Sequence, residues 1–289
     1  MREFMVETPG AVLAVRESRA DGEPLLLLHG GPGVPDSMQT DIAPLLPEMR
    51  AISFDQRGVG RSRCRDGRYG IDDYVADIEA IRQHLGLPGW HVLGHSWGGL
   101  LAQLYAARRG PRVRSLALSS SSLGVGAAWK ETKRESFRIE RRRRTAGATL
   151  RLYFHGSFLV SPEPLRSWGM RQVMTEVWHD YFLDPRTAPD PDRAWLGGCS
   201  PQAMIRTDRA LSQADAGTLD ALSAYVGPVL VLYGQDDIFG ASEAVVRQRF
   251  PEATQVTLGD SGHLHWLQNR SGYQDALLSF YETATAAPR

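Results

Sequence analysis

The sequence has little cysteine, no long apolar run and no excess of charge of either sign. Its 289 residues include two cysteines, Cys64 and Cys199, which are too few for a metal site and too far apart for a redox motif. The longest apolar run near the start, residues 25–28, is too short to span a bilayer, and the first residues lack the apolar core of a secretory signal. We therefore expect a cytoplasmic protein with free thiols and no membrane association.

The balance of charge argues against a nucleic-acid partner. The 33 Lys and Arg residues equal the 33 Asp and Glu residues, so no overall field attracts a polyanion. A basic segment at residues 130–144 ends in four arginines, but three glutamates are interleaved with them: Glu131, Glu135 and Glu140. This pattern predicts a solvated, partly self-paired helix. The expected partner is a small-molecule or short-peptide substrate.

Strand and helix patterns alternate along much of the chain. With 42% hydrophobic residues, the chain can bury a large core within one α/β fold. Strand patterns lie at residues 25–28, 50–54, 90–93, 113–118 and 228–233. The first of them is continuously apolar, which favours a parallel strand covered on both faces. Helical patterns separate several of them, and the segment at 113–118 is followed by four serines. The sequence predicts an α/β fold with a mostly parallel central sheet and helices on both faces.

The alternation stops between residues 123 and 222. This stretch is rich in aromatic residues and holds four of the seven tryptophans, Trp129, Trp168, Trp178 and Trp195. We expect a core domain made of residues 1–122 and 223–289, with a mainly helical cap at residues 123–222.

The strongest local motif is Gly-His-Ser-Trp-Gly at residues 94–98. It follows an apolar strand pattern and precedes a helical pattern, which is the context of a nucleophile elbow, a strained turn that exposes a serine. Strand and helix approach closely at such a turn, so Gly94 and Gly98 are expected on steric grounds. Ser96 is therefore a candidate nucleophile.

A serine nucleophile needs a histidine as base and a carboxylate that orients the histidine. Downstream, one predicted strand ends in Gly-Gln-Asp-Asp at residues 234–237, and another is followed by Ser-Gly-His at residues 261–263. The order serine, acid, histidine matches the α/β-hydrolase pattern. Asp236 is a rival for Asp237 as the acid, and His265 is a rival for His263 as the base.

Three motifs together resemble those of the prolyl iminopeptidase family of serine peptidases, within the α/β-hydrolase superfamily. They are the elbow, His-Gly-Gly-Pro-Gly at residues 29–33 and Asp-Gln-Arg-Gly at residues 55–58. The resemblance implies that Ser96 is the nucleophile, that Asp237 is the acid and that His263, preceded by a glycine, is the base. It also implies a helical cap inserted after the sixth strand.

The same resemblance implies an oxyanion hole and several structural residues. The hole would use the backbone N–H groups of Gly31 and Trp97. We expect His29 and His95 to be structural, and we expect the loop at residues 55–58 to be structural too, with Arg57 in an ion pair. No metal or organic cofactor is expected.

A serine at the elbow points to acyl transfer. Our leading hypothesis is a serine hydrolase, specifically an aminopeptidase that releases N-terminal proline or another small apolar residue. In this family, cap glutamates hold the free amino terminus, and the cap candidates here are Glu131, Glu135, Glu140, Glu163 and Glu176. The alternatives are a carboxylesterase or lactonase acting on small apolar esters, and a non-catalytic, ligand-binding relative.

Overall fold

The computed structural model describes residues 1–19 and 21–286, and within them nine strands form one sheet. The strands are β1 (Arg2–Glu7), β2 (Ala11–Glu17), β3 (Pro24–Leu28), β4 (Arg50–Phe54), β5 (Arg63–Cys64), β6 (Trp90–His95), β7 (Val113–Ser119), β8 (Val229–Gly234) and β9 (Thr254–Leu258). The sheet runs in the order β1-β2-β4-β3-β6-β7-β8-β9, and the short β5 pairs with β2.

The predicted, mostly parallel sheet is confirmed. All neighbouring strands from β4 to β9 along this path are parallel, and only the pairs that involve β2 are antiparallel. Every residue of β3 and β6 is buried, as expected for central parallel strands covered on both faces. The strand β1 was not predicted from the sequence, because it is a partly exposed edge strand without a continuous apolar run.

Helices cover both faces of the sheet. They are α1 (Met38–Asp41), α2 (Ile71–His84), α3 (Trp97–Arg109), α4 (Ala127–Arg143), α5 (Ala146–Ser157), α6 (Leu165–Asp180), α7 (Arg193–Gly197), α8 (Pro201–Gln213), α9 (Gly240–Arg249), α10 (His265–Gln268) and α11 (Arg270–Ala286). Apolar residues of α2, α3 and α9 pack on one face, and those of α1 and α11 pack on the other. None of the helices in the described residues is long and apolar enough to cross a bilayer.

The segment between β7 and β8 is helical, and β7 is the sixth strand along the chain when the two-residue β5 is set aside. It contains α4 to α8 and ends with a 3-10 helix at Ala216–Ala224. We call residues 127–224 the helical insertion. That residues 123–222 form a domain of their own stays a prediction.

One local expectation from the sequence is wrong. The pattern at residues 242–250 indicates a helix with Ser242 as its N-cap, but α9 begins at Gly240 and Ser242 is buried within its first turn. The helix begins earlier because Asp237, in the preceding loop, accepts hydrogen bonds from the residues at the start of the helix. The Asp237 carboxylate accepts the Phe239 N–H at 2.9 Å, and the Asp237 carbonyl accepts the Gly240 N–H at 3.2 Å.

Candidate active site

Ser96 occupies a strained turn between β6 and α3. Its backbone has φ 59° and ψ −122°, a region that residues with side chains seldom adopt. A Cβ on Gly94 would lie 2.2 Å from the Gly98 carbonyl oxygen, and one on Gly98 would lie 2.0 Å from the Leu28 carbonyl oxygen. Only glycine fits at either position, as the sequence motif predicted.

Asp237 and His263 come from the loops that follow β8 and β9, and they are in direct contact. The Nδ1 atom of His263 donates to Oδ1 of Asp237 at 2.9 Å, and both side chains are buried. Burial alone would raise the pKa of Asp237, but the charge and hydrogen bond of His263 outweigh it and lower that pKa to about 2. Asp237 is therefore ionised at neutral pH, and its contact with His263 uses the Nδ1 atom of the ring and not Nε2.

Neither rival residue takes part in the contact between Asp237 and His263. The side chain of Asp236 is exposed, and its carbonyl oxygen accepts a hydrogen bond from Arg143 at 2.8 Å. His265 is fully buried, and its ring nitrogens contact the hydroxyls of Ser120 and Ser261 at 2.7 and 2.8 Å. Burial lowers the pKa of His265 to about 4. The structure thus brings Asp237, and not Asp236, together with His263.

The loop at residues 29–33 lies directly against the elbow. A Cβ on Gly30 would lie 3.2 Å from the Cβ of Ser96, and Gly31 has φ +120°. Trp97 is the first residue of α3, so its N–H has no acceptor within the helix, and the positive end of the helix dipole lies there. Of the two residues predicted to form the oxyanion hole, Trp97 directly follows Ser96, and Gly31 lines the same cavity as Ser96.

The residues expected to be structural do hold this region together. His29 donates from Nδ1 to the Gly30 carbonyl at 2.8 Å and accepts the Gln56 N–H at Nε2 at 3.2 Å. His95 donates from Nε2 to the His263 carbonyl at 2.9 Å. Arg57 forms a buried, bidentate pair with Asp77 at 2.7 and 2.8 Å.

Gln56 has a role that sequence reasoning did not find. Its amide nitrogen donates to the His29 carbonyl at 3.0 Å, and its amide oxygen accepts the indole N–H of Trp97 at 2.8 Å. One side chain thus ties the His-Gly-Gly-Pro loop to the start of α3. The three sequence motifs form a single assembly, which their spacing along the chain does not reveal.

A cavity of about 860 Å³ opens over Ser96 and His263. Apolar side chains of the core and the helical insertion line much of it: Val34, Met38, Met174, Trp178, Trp195, Leu264 and Trp266. The carboxylates on its wall are all aspartates: Asp36, Asp41, Asp55, Asp190 and Asp192. No group of three His, Cys, Asp or Glu side chains in residues 1–19 and 21–286 is placed to hold a metal ion.

The five glutamates considered as amino-terminus ligands do not line this cavity. Four of them pair with arginines of the insertion, as Glu131–Arg134, Glu135–Arg138, Glu140–Arg144 and Glu176–Arg151. Glu163 accepts a backbone N–H from the following helix, α6, at 3.2 Å. The pairing predicted within the helix at residues 130–144 is present, but the side chains of Glu140 and Arg144 near its end are largely buried and not solvated.

The profile of the α/β hydrolase fold family matches residues 23–269, and the chain belongs to that family. It is similar to proline iminopeptidases. The enzyme of Lactiplantibacillus plantarum is 27% identical over 282 residues, which cover 91% of this chain and 93% of the relative. The enzyme of Lactobacillus delbrueckii subsp. bulgaricus is 37% identical over 281 residues, or 89% of each chain. The protein is thus a hydrolase of the α/β-hydrolase superfamily.

Two solved structures have the same fold. The proline iminopeptidase of Mycobacterium smegmatis superposes with a TM-score of 0.70 at 19% identity, covering 98% of each chain. A structure from work on the carboxylesterases of Nitrososphaera gargenis superposes with a TM-score of 0.68 at 21% identity, covering 97% of this chain and 98% of the other. At these identities the likeness shows the fold and not the substrate.

Proposed function

We propose that the protein is a serine hydrolase that works through an acyl-enzyme, with Ser96 as nucleophile, His263 as base and Asp237 as acid. The observation that carries the proposal is the 2.9 Å contact between His263 and Asp237 beside a serine held at φ 59°. Ser96 and His263 line the same cavity, so a bound acyl group would meet both.

In this mechanism, His263 takes the proton of Ser96 as the serine oxygen attacks the substrate carbonyl. The backbone N–H groups of Gly31 and Trp97 then stabilise the oxyanion. His263 passes the proton to the leaving group, which departs. A water molecule then gives a proton to His263 and attacks the acyl-enzyme carbonyl, and Ser96 leaves with the proton that His263 returns to it. Asp237 stays ionised throughout, since its pKa is about 2.

The substrate that we propose is a peptide with an N-terminal proline or another small apolar residue. Similarity to proline iminopeptidases supports this choice, and so does the apolar wall of the cavity. Because the five insertion glutamates lie elsewhere, the amino terminus would pair with a cavity aspartate. Asp190 and Asp192 are the candidates on the insertion, and both are exposed.

The second candidate is a carboxylesterase or lactonase acting on small apolar esters. The observation in its favour is that no glutamate in the described residues lines the cavity. Asp36 and Asp55 are buried and already bonded to Arg16, at 3.3 and 2.9 Å. A neutral ester would need no carboxylate partner.

Hydrolysis of proline p-nitroanilide, other amino-acid anilides and p-nitrophenyl butyrate by the wild type and Ser96→Ala tests both candidates. We expect proline anilide to be cleaved and Ser96→Ala to lose at least about 10⁴-fold in rate. Cleavage of the ester alone would favour the esterase. A wild type that neither turns over any substrate nor reacts with a fluorophosphonate at Ser96 would indicate the non-catalytic relative.

A matched pair of variants tests the acid. Asp237→Asn should lose about 10⁴-fold in kcat, because the histidine would take the wrong tautomer. Asp236→Asn should stay close to the wild type, since that side chain is exposed. The reverse ranking would refute the assignment of Asp237.

A further inference from the structure

Four consecutive serines, residues 119–122, comprise the last residue of β7 and the three residues after it. They have no role in the mechanism above, yet all four are buried. Ser119 accepts a hydrogen bond from the Tyr273 hydroxyl at 3.3 Å, and Ser121 accepts one from the Gln103 amide at 2.8 Å. The hydroxyl of Ser122 is buried without a partner in the described residues. Ser120 differs from the others, because its backbone has φ 48° and its hydroxyl contacts Asp237.

Ser120 is the middle of a buried chain of hydrogen bonds that ends on Asp237. Its Oγ contacts Oδ2 of Asp237 and lies 2.7 Å from Nε2 of His265. The other ring nitrogen of His265, Nδ1, lies 2.8 Å from the Ser261 hydroxyl. The chain therefore runs from Ser261 through His265 and Ser120 to the carboxylate.

The protons in this chain have one consistent arrangement. Ionised Asp237 only accepts, so Ser120 must donate to it. The oxygen of Ser120 then accepts from Nε2–H of His265, which leaves Nδ1 of the neutral ring to accept from Ser261. Burial keeps His265 neutral at pH 7, since its pKa is about 4. Every donor in the chain thus points towards Asp237.

The carboxylate of Asp237 depends on few donors. Its Oδ1 accepts from His263 and from the Phe239 N–H, each at 2.9 Å, and Ser120 is the donor to Oδ2. Among the residues that the structure describes, the titratable groups around Asp237, His263 and His265 include His95, Tyr181, Tyr233 and Tyr273. Burial lowers the pKa of His95 and raises the pKa values of the tyrosines, so these neighbours are neutral at pH 7.

We propose that Ser120 and His265 are positioning residues for the reaction, which hold the Asp237 carboxylate in place and favour its ionised form. The proposal rests on the proposed function, because it takes Asp237 to be the acid of the site. Two separate strand ends, after β7 and after β9, supply the chain, and the strained backbone of Ser120 aims its hydroxyl at Oδ2.

Removal of the Ser120 hydroxyl has a predictable consequence. Ser120→Ala should lower kcat/KM about 10- to 100-fold, as expected for a lost hydrogen bond to a charged group. With the anion less stabilised, the Asp237–His263 pair takes up a proton at higher pH, so the acid limb of the pH profile of kcat/KM should move to higher pH. A residue that serves only to fill space would not move this limb.

Two comparisons sharpen the test. Ser122→Ala is the matched control, because it removes a buried hydroxyl without a partner in the described residues from the same run of serines, and it should keep the rate and the pH profile of the wild type. His265→Gln retains an N–H donor towards Ser120 and should keep more activity than His265→Leu. Should Ser120→Ala fold poorly, Ser120→Gly removes the same hydroxyl at a backbone conformation that glycine adopts readily.

The outcomes separate this proposal from the proposed function. If Asp237→Asn loses about 10⁴-fold while Ser120→Ala and Ser120→Gly keep the rate and acid limb of the wild type, the positioning role is overturned and the triad stands. If Asp237→Asn itself stays active, the proposed function fails. An equal loss in Ser122→Ala and Ser120→Ala would also overturn the positioning role, because it would mean that packing alone is responsible.

Discussion

The carboxyl ends of the central strands and the helical insertion face each other across one cavity, and they are built differently. All residues of β3 and β6 are buried, whereas α5 contains no buried residue. Large apolar side chains of the insertion, among them Leu150, Tyr153 and Phe154, are more than half exposed. The proposed chemistry thus depends on strands that are fully buried, whereas one helix of the insertion, α5, is largely exposed.

The two regions meet at a few backbone contacts close to the site. The Ser200 N–H of the insertion donates to the Gly33 carbonyl at 2.7 Å, and the Gly60 N–H donates to the Gly198 carbonyl at 3.0 Å. On the other side, the His263 N–H donates to the Tyr181 carbonyl at 2.8 Å. Through these contacts, a shift of the insertion would act on both the loop at residues 29–33 and His263.

The largest expected difference between the two regions is in how far a glycine-to-alanine substitution, made once in each region, changes the free energy of unfolding. Gly98→Ala should destabilise the protein by about 3–5 kcal/mol, because the new methyl would lie 2.0 Å from the Leu28 carbonyl. Gly156→Ala in α5 meets no atom within 4 Å and should stabilise by up to about 1 kcal/mol. Urea unfolding followed by tryptophan fluorescence measures both, and equal effects would contradict the contrast in packing.

Two methionines of the insertion allow its effect on stability to be measured separately from its effect on substrate specificity. Met170 and Met174 are both buried in α6, but of the two only Met174 lines the cavity. Each change to alanine should cost about 2–4 kcal/mol of stability. Met174→Ala alone should change the ratio of kcat/KM between small and bulky acyl substrates, by about 10-fold. A similar change in Met170→Ala would mean that the insertion affects specificity through its overall packing.

The smallest effect that we expect is a pH dependence of folding stability, caused by a buried carboxyl group in the insertion. Burial, together with the nearby charge of Asp180, raises the pKa of Glu140 to about 7, although Arg144 opposes the shift. A carboxyl whose pKa is higher in the folded state binds more protons there than in the unfolded chain. Its contribution therefore makes stability fall as the pH rises from about 4.5 to 7.

Glu140→Gln should remove that dependence. The variant should match the wild type near pH 5 and exceed its unfolding free energy by about 1–3 kcal/mol at pH 8. Glu135→Gln is the control, since Glu135 is more exposed and pairs with Arg138 on the same helix. Thermal unfolding of the three proteins at both pH values decides the matter, and parallel pH profiles for the wild type and Glu140→Gln would refute the prediction.

Several features could be predicted from the sequence because they depend on local chemistry. Apolar runs such as residues 25–28 indicated buried parallel strands, and the Gly-x-Ser-x-Gly spacing indicated a tight strand-to-helix turn. The N-cap of α9 and the strand β1 could not be predicted in this way. A loop contact of Asp237 decides where the helix begins, and pairing with β2 decides that the edge strand forms.

By itself, the sequence determined the order of the elements and the residue types at each strand end, since periodicity and turn chemistry are properties of neighbouring residues. The family resemblance implied Asp237, but only the tertiary structure showed its contact with His263. Only the tertiary structure showed that Gln56 joins the loop at residues 29–33 to α3 and that the insertion glutamates lie away from the cavity. It also brought Ser120 and His265 together behind Asp237. These are contacts between residues far apart in the chain, and no local pattern encodes the direction in which a side chain points once the sheet has formed.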